Sequence, residues 1–180
     1  SKMLPNYSTE DLIKAYCIIG GVPMYIEEFD SKKTIEENLD EKLFEKTSFL
    51  YNEPINLLTE EFRDFSSYLS ILLAVGEGKT KFNEISDFSH ISSNKLPKYL
   101  SVLERIELIQ KEIPVTEIKL KSKITRYSIR DNFYSFWMRF VMKNKAQIEQ
   151  GLKKQVISSV LPELNSYFGR AFEKLCKEII

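Results

Sequence analysis

Apolar residues recur at intervals of three and four through the middle of the chain and then give way to two short extended runs. The spacing predicts a helix from about Thr59 to Val75, a second from about Lys81 to Phe88 and a third over residues 92–107. Residues 108–114 and 124–129 predict two antiparallel strands joined by a polar, basic hairpin. Helix, helix, turn, helix and two-stranded wing is the order of a winged helix-turn-helix.

The N-terminal segment predicts a small all-helical unit. Ser8 can cap a helix that runs to about Ile19, where residues 20–23, Gly-Gly-Val-Pro, end it. A further helix is expected from about Thr34 to Lys46, followed by an irregular stretch from Ser48 to Pro54. Residues 1–60 therefore form the first of three predicted units.

The C-terminal segment predicts trailing helices. An aromatic helix is expected from Phe133 to about Val141, then a polar helix or linker to Gly151, and a last helix that starts at Pro162 and still runs at Ile180. An apolar helix that reaches the chain end without a cap indicates a further domain beyond it. The expected fold is mostly α (α+β), divided into residues 1–60, 61–130 and 131–180.

Charge is distributed unevenly along a chain whose formal net charge is zero. Residues 1–61 carry 6 basic and 13 acidic side chains, a net charge of −7, whereas residues 62–130 carry +4 and residues 131–180 carry +3. A basic middle suits a nucleic-acid face, because binding depends on a local patch. Two widely separated cysteines and the lack of an apolar run of about 18–20 residues lead us to expect a cytoplasmic protein without a membrane span.

One string invites a nucleotide-binding interpretation. Residues 76–80, Gly-Glu-Gly-Lys-Thr, contain the end of a phosphate-binding loop, but that motif requires a glycine where this chain has Leu73. Such a loop also joins a strand to a helix, whereas this one joins two predicted helices. We expect a helix stop and turn.

The sequence does not contain a complete set of catalytic or metal-binding residues. His90 is the only histidine, which excludes a multi-histidine metal centre, and its position beside a turn favours a packing or capping role. We therefore expect no catalytic residues, no metal site and no enzyme activity in the chain as given.

The third helix and the hairpin carry the residues typical of DNA contact. Hydroxyl and amide side chains at the helix start can donate to phosphates, and basic side chains lie off the apolar stripe or around the hairpin tip. The predicted DNA-binding residues are Ser92, Ser93, Asn94, Lys95, Lys98, Tyr99, Lys119, Lys121, Lys123 and Arg126. The alternative is an intramolecular or protein–protein scaffold without DNA contact, since winged helices serve both roles.

Several separate strings give the chain a family resemblance. They are residues 14–16, 20–25, 79–85, 95–104, 127–137 and 167–173. In this order they resemble the C-terminal half of archaeal ATPases of the AAA+/STAND type, which carry a winged helix and a downstream nuclease-like domain, DUF234.

The resemblance implies roles for particular residues. Residues 1–60 would be the helical lid of a nucleotide-binding domain, with Gly21 and Pro23 approaching the nucleotide. Glu173 would be the first acidic residue of the nuclease-like domain. ATP and Mg²⁺ are implied only for the full-length protein, whose nucleotide-binding domain would be an intramolecular partner.

The last helix has an apolar side that would face such a downstream domain. Phe168, Phe172, Leu175 and Ile179 form this side. In the chain alone we expect it to promote self-association.

The missing phosphate loop leads to the first prediction. The pure 180-residue chain should not turn over ATP, measured as phosphate release with Mg²⁺ present. Repeated turnovers that disappear on mutating a residue of this chain would contradict it.

Overall fold

The computed structural model describes residues 3–112 and 125–179, with side chains described as far as Cys176. The described chain is mostly helical and contains one two-stranded antiparallel sheet. This confirms the predicted mostly α fold class. Within these residues, no helix combines the length and the apolar content needed to cross a bilayer.

Four helices make up the N-terminal part. They are α1 (Thr9–Ile19), α2 (Pro23–Glu28), α3 (Ile35–Asn38), which continues as a π-helical turn (Leu39–Leu43), and α4 (Phe49–Glu61). Side-chain caps fix where α1, α3 and α4 begin, because Ser8, Thr34 and Ser48 each accept a hydrogen bond from a backbone N–H of the first turn.

The middle of the chain contains α5 (Phe65–Gly76), α6 (Phe82–Ser89), α7 (Leu96–Arg105), β1 (Ile109–Glu112) and β2 (Arg126–Ile129). The two strands pair antiparallel, with Ile109 opposite Ile129 and Glu112 opposite Arg126. Lys81, just before α6, forms an isolated bridge with Arg126 at the far edge of β2. The predicted order of three helices and two antiparallel strands is confirmed.

The C-terminal part begins with α8 (Asn132–Phe136), which continues as a π-helical turn (Trp137–Val141) and a 3₁₀ turn (Met142–Asn144). The short α9 (Lys145–Glu149) and the long α10 (Lys153–Ile179) follow.

Two predictions around α4 were wrong. Residues 49–54 of the expected irregular stretch are helical, because α4 begins directly after Ser48 and contains Pro54. The chain breaks at residues 62–64 instead of continuing one helix from Thr59 to Val75. A proline removes one helical hydrogen bond, but the burial of Leu50 and Leu58 on either side holds the helix together. At the break, the chain folds back so that the rings of Phe62 and Tyr68 stack, with their centroids 3.9 Å apart.

Pro162 was also misjudged as a helix start. It lies inside α10, which begins nine residues earlier at Lys153. Val156 and Val160 before the proline, and Leu164 and Tyr167 after it, are all buried. A single apolar face therefore continues through Pro162, and its packing outweighs the lost hydrogen bond.

One hydrophobic core joins all three sequence segments. Buried side chains extend through it from Leu4 to Tyr167. The domain boundaries at residues 60 and 130 stay a prediction. A shared core does not show which of the three segments can fold on its own.

The string at residues 76–80 forms a helix stop, as predicted. Lys79 N–H donates to Ala74 O (2.9 Å) and Gly78 N–H donates to Val75 O (3.0 Å), while Gly78 has a φ of 85°. This is a Schellman end, which commonly uses glycine in the left-handed region.

Gly76 has a separate packing role. A Cβ added to it would lie 2.8 Å from Met138 Cβ and 3.4 Å from the carbonyl carbon of Met138. The absence of a side chain therefore lets the end of α5 approach the π-helical turn closely.

The close approach predicts that Gly76→Ala lowers the free energy of unfolding by about 1–3 kcal/mol, because the core must shift to admit the methyl group. Gly169→Ala is the matched control, since no described atom beyond its chain neighbours and its own helix backbone lies within 4 Å of a Cβ added there, inside α10. It should raise the same quantity by about 0.5–1 kcal/mol. Urea denaturation of both variants tests the difference, and an unchanged Gly76→Ala would refute the packing explanation.

Candidate nucleic-acid interface

The turn between α6 and α7 sets the direction in which α7 leaves the core. His90 ends α6 in the left-handed region, with φ 56° and ψ 23°. Ser86 Oγ donates to Ile91 O (2.7 Å), and Ser92 O accepts the backbone N–H groups of Lys95 and Leu96. The predicted residues Ser92, Ser93, Asn94 and Lys95 therefore lie in this turn, before the first helical residue.

Helix α7 has one buried face and one exposed face. Leu96, Leu100 and Leu103 are buried, as their spacing predicted. Lys98, Ser101 and Arg105 are exposed at positions i, i+3 and i+7, so they line the same side of the helix. Ser92 to Lys95 are exposed just before its first turn.

The exposed face of α7 is positively charged, and none of its own exposed residues is acidic among those that the structure describes. Within the part of the chain that the structure describes, no carboxylate forms an ion pair with Lys95, Lys98 or Arg105. The one acidic residue of α7, Glu104, pairs with Lys111 of β1, with 3.1 Å between Nζ and Oε1. The face therefore presents three cations and several hydrogen-bond donors to solvent.

Tyr99 is engaged within the protein. It is half-buried, its hydroxyl donates to Asp64 Oδ2 (2.7 Å), and its ring lies edge-on to Tyr68 with 5.0 Å between centroids. The hydrogen bond from Tyr99 lowers the pKa of the Asp64 carboxyl. Tyr99 therefore fixes α7 against the start of α5, a role that sequence reasoning missed because Asp64 lies 35 residues away.

The hairpin contributes Arg126, which is exposed at the start of β2. Lys119, Lys121 and Lys123 lie outside the described residues. Lys111, on β1, packs over the Tyr127 ring with its Nζ 5.8 Å from the centroid.

The predicted nucleotide-contacting residues lie on an exposed turn between α1 and α2. Gly21 and Pro23 are both exposed. Around them, Tyr16, Val22 and Met24 expose 38%, 40% and 49% of their surface. These three side chains form an apolar surface at the turn, which we call the turn surface.

Other titratable residues lie in ordinary structural positions, either buried and hydrogen-bonded or exposed. Glu53 is buried, which raises the pKa of its carboxyl, and it accepts a hydrogen bond from Tyr25 Oη (3.4 Å). His90 and Glu173 are exposed. Among residues 3–112 and 125–176, no group of three or more histidine, cysteine or acidic side chains could hold a metal ion.

The apolar side predicted for α10 is partly covered. Phe168 packs against the core, whereas Phe172 exposes 46% of its surface and Leu175 is half-buried. The side chain of Ile179 lies outside the described residues. Self-association through this side stays a prediction.

Comparisons with known proteins relate the chain to archaeal sequences. Residues 137–180 match a family model, DUF234, described as "Archaea bacterial proteins of unknown function". The chain is 32% identical over 179 residues to "Uncharacterized protein MJECL04" of Methanocaldococcus jannaschii, which aligns 99% of this chain and 40% of the relative. The chain thus spans about 40% of the length of that curated relative.

No solved structure matches the chain. These matches confirm two parts of the resemblance, which are the DUF234 domain and the relation to archaeal proteins. The ATPase and winged-helix parts stay predictions.

The left-handed backbone at His90 gives the next prediction. Because His90 is exposed, His90→Gly removes strain at little cost in packing and should raise the free energy of unfolding by up to about 1 kcal/mol. His90→Val should lower it by about 1–2 kcal/mol, since a β-branched residue tolerates positive φ poorly. Chemical denaturation measures both, and the reverse order of stabilities would show that the turn relaxes in solution.

Proposed function

We propose that the chain is the DNA-binding part of a longer protein, and that α7 and the hairpin form the contact surface. The observation that carries this proposal is the exposed face of α7, on which Lys95, Lys98 and Arg105 have no ion-pair partner among the described residues. A face of this kind suits a polyanion, because each phosphate contact releases counterions from the duplex.

The protein would contact DNA in two ways, at the phosphate backbone and at the edges of the bases. Ser92, Ser93 and Asn94 would donate to backbone phosphates and fix the position of the helix. Lys98, Ser101 and Arg105 would follow the major groove, where basic side chains can reach guanine edges. The hairpin would lie beside the helix on the backbone or minor groove, with Arg126 and the sequence-predicted Lys119, Lys121 and Lys123.

The acidic N-terminal part limits how the duplex can approach. Residues 1–61 carry a net charge of −7 and would repel DNA unless they face away from it. We therefore expect affinity that depends steeply on salt rather than tight non-specific binding.

The same proposal assigns the turn surface to a protein contact. Tyr16, Val22 and Met24 would pack against a nucleotide-binding domain, as the resemblance implies for the surroundings of Gly21 and Pro23. Tyr16, on α1 beside this turn, contacts the segment that follows the hairpin, because Asn132 Nδ2 at the start of α8, three residues after β2, donates to Tyr16 O (3.1 Å). A partner at the turn surface could thus act on the DNA-binding elements through few contacts.

The scaffold alternative rests on this surface too. In that case residues 61–130 and the aromatic helix at residues 133–141 would form a scaffold that transmits the nucleotide state to a partner without touching DNA. Enzyme activity is assigned to neither possibility, because the proposed role of this chain is binding.

Removal of two cations from α7 tests DNA binding. Lys98→Gln combined with Arg105→Gln should weaken binding to duplex DNA and reduce the magnitude of the slope of log affinity against log salt by roughly 2. Fluorescence anisotropy at several salt concentrations measures both quantities.

The matched control removes two positive charges at positions outside α7 and the hairpin. Lys32 and Lys154 are exposed, lie on other elements and form no ion pair among the described residues. Lys32→Gln combined with Lys154→Gln should leave the slope nearly unchanged. Equal effects of the two double variants, or no binding by the wild type at low salt, would favour the scaffold alternative.

A further inference from the structure

A basic cavity of about 220 Å³ lies where the end of α5, strand β2, the π-helical turn after α8 and helix α10 meet. Its volume is below the roughly 300–1,000 Å³ usual for sites that enclose an organic ligand. The cavity is thus suited to a small group. Among the described residues that line it, Arg139, Arg170 and Lys174 carry charge and none is acidic.

The three cationic side chains differ in the contacts that they make within the protein. Lys174 Nζ donates to the carbonyl oxygens of Ile129 (3.2 Å) and Arg130 (2.6 Å), so its position at the cavity is fixed by the segment that follows β2. Arg170 is exposed, and no carboxylate of the described residues forms an ion pair with it. The second cation is therefore available to a ligand.

Arg139 is only partly satisfied. Its Nη2 pairs with Glu163 Oε2 (3.1 Å), but its Nε is buried and has no hydrogen-bond partner among the described residues. A buried N–H of a charged group without an acceptor is destabilising, so an acceptor that reached Nε would stabilise it. Neutral donors surround the cations, since the hydroxyl-bearing residues Thr80 and Ser135 also line the cavity.

We propose that this cavity binds a phosphate group. Arginine and lysine are the usual ligands of phosphate oxygens, and hydroxyl donors commonly complete such sites. The group would be either the backbone phosphate of a nucleic acid or a free phosphate, and both use the same chemistry. This site is separate from the exposed face of α7, so its existence does not depend on the proposed DNA contact there.

Inorganic phosphate is the probe for the site, and calorimetric titration of the full 180-residue chain measures its binding. Sodium chloride at equal ionic strength controls for general salt effects. Arg170→Gln should weaken phosphate binding roughly tenfold, the loss expected for one charge-assisted contact. Lys154→Gln removes the same charge from the same helix outside the cavity and should bind phosphate as the wild type does.

A second variant tests the role of the buried Nε of Arg139. Arg139→Lys keeps the positive charge and the possibility of pairing with Glu163 but removes Nε, so it should also weaken phosphate binding while circular dichroism shows the fold intact. No saturable binding of phosphate by the wild type would overturn the proposal. Equal affinity of Arg170→Gln and Lys154→Gln would overturn it as well.

Duplex DNA distinguishes the two sources of phosphate. If the site takes a backbone phosphate, Arg170→Gln will weaken duplex binding relative to Lys154→Gln, and inorganic phosphate will compete with the duplex. If it takes a free phosphate, Arg170→Gln will lose phosphate binding and keep the affinity for DNA. Lys98→Gln with Arg105→Gln should retain phosphate binding in either case, which separates this site from the proposed interface on α7.

Discussion

The burial of one aromatic segment, residues 132–141, is the constraint on which the rest of the structure depends. Phe133, Phe136, Trp137 and Phe140 expose 2% of their surface or less. Trp137 Nε1 donates to the carbonyl of Tyr51 in α4 (3.0 Å), and the rings of Phe136 and Phe140 pack edge-on against Tyr167 of α10. Met138 in the same segment packs against Gly76 at the end of α5. Because α5 is fixed here and Tyr99 ties α7 to Asp64 just before α5, the placement of the basic face follows from the aromatic core.

Local signals were sufficient for much of this architecture. Ser8 caps the helix that it was expected to cap, a helix begins directly after Thr34, close to the predicted position, and the stripe of Leu96, Leu100 and Leu103 is the buried face of α7. Pro54 and Pro162 show where local reasoning failed, because each lies inside a helix that is held by buried neighbours on both sides. Propensity is a weak preference, and tertiary packing outweighed it at both prolines.

The candidate site was predictable to a similar degree. Exposed cations on α7 follow from helical spacing, whereas the engagement of Tyr99 by Asp64 depends on a contact across 35 residues. The cavity proposed to bind phosphate could not be foreseen for the same reason, since Thr80, Ser135 and Arg170 come together only when β2 and α10 pack on the end of α5. Spacing along one element is readable from sequence, but convergence of several elements is a property of the fold.

Backbone amide NMR of the chain titrated with duplex DNA would locate the DNA contact without altering any residue. DNA binding through α7 predicts shift changes that concentrate on residues 92–105 and on the β2 end of the hairpin at Arg126, and that diminish as salt is raised. Shift changes at Tyr16, Val22 and Met24 should be much smaller than those on α7. Changes centred on that turn surface, or no localised changes at low salt, would contradict DNA binding through α7.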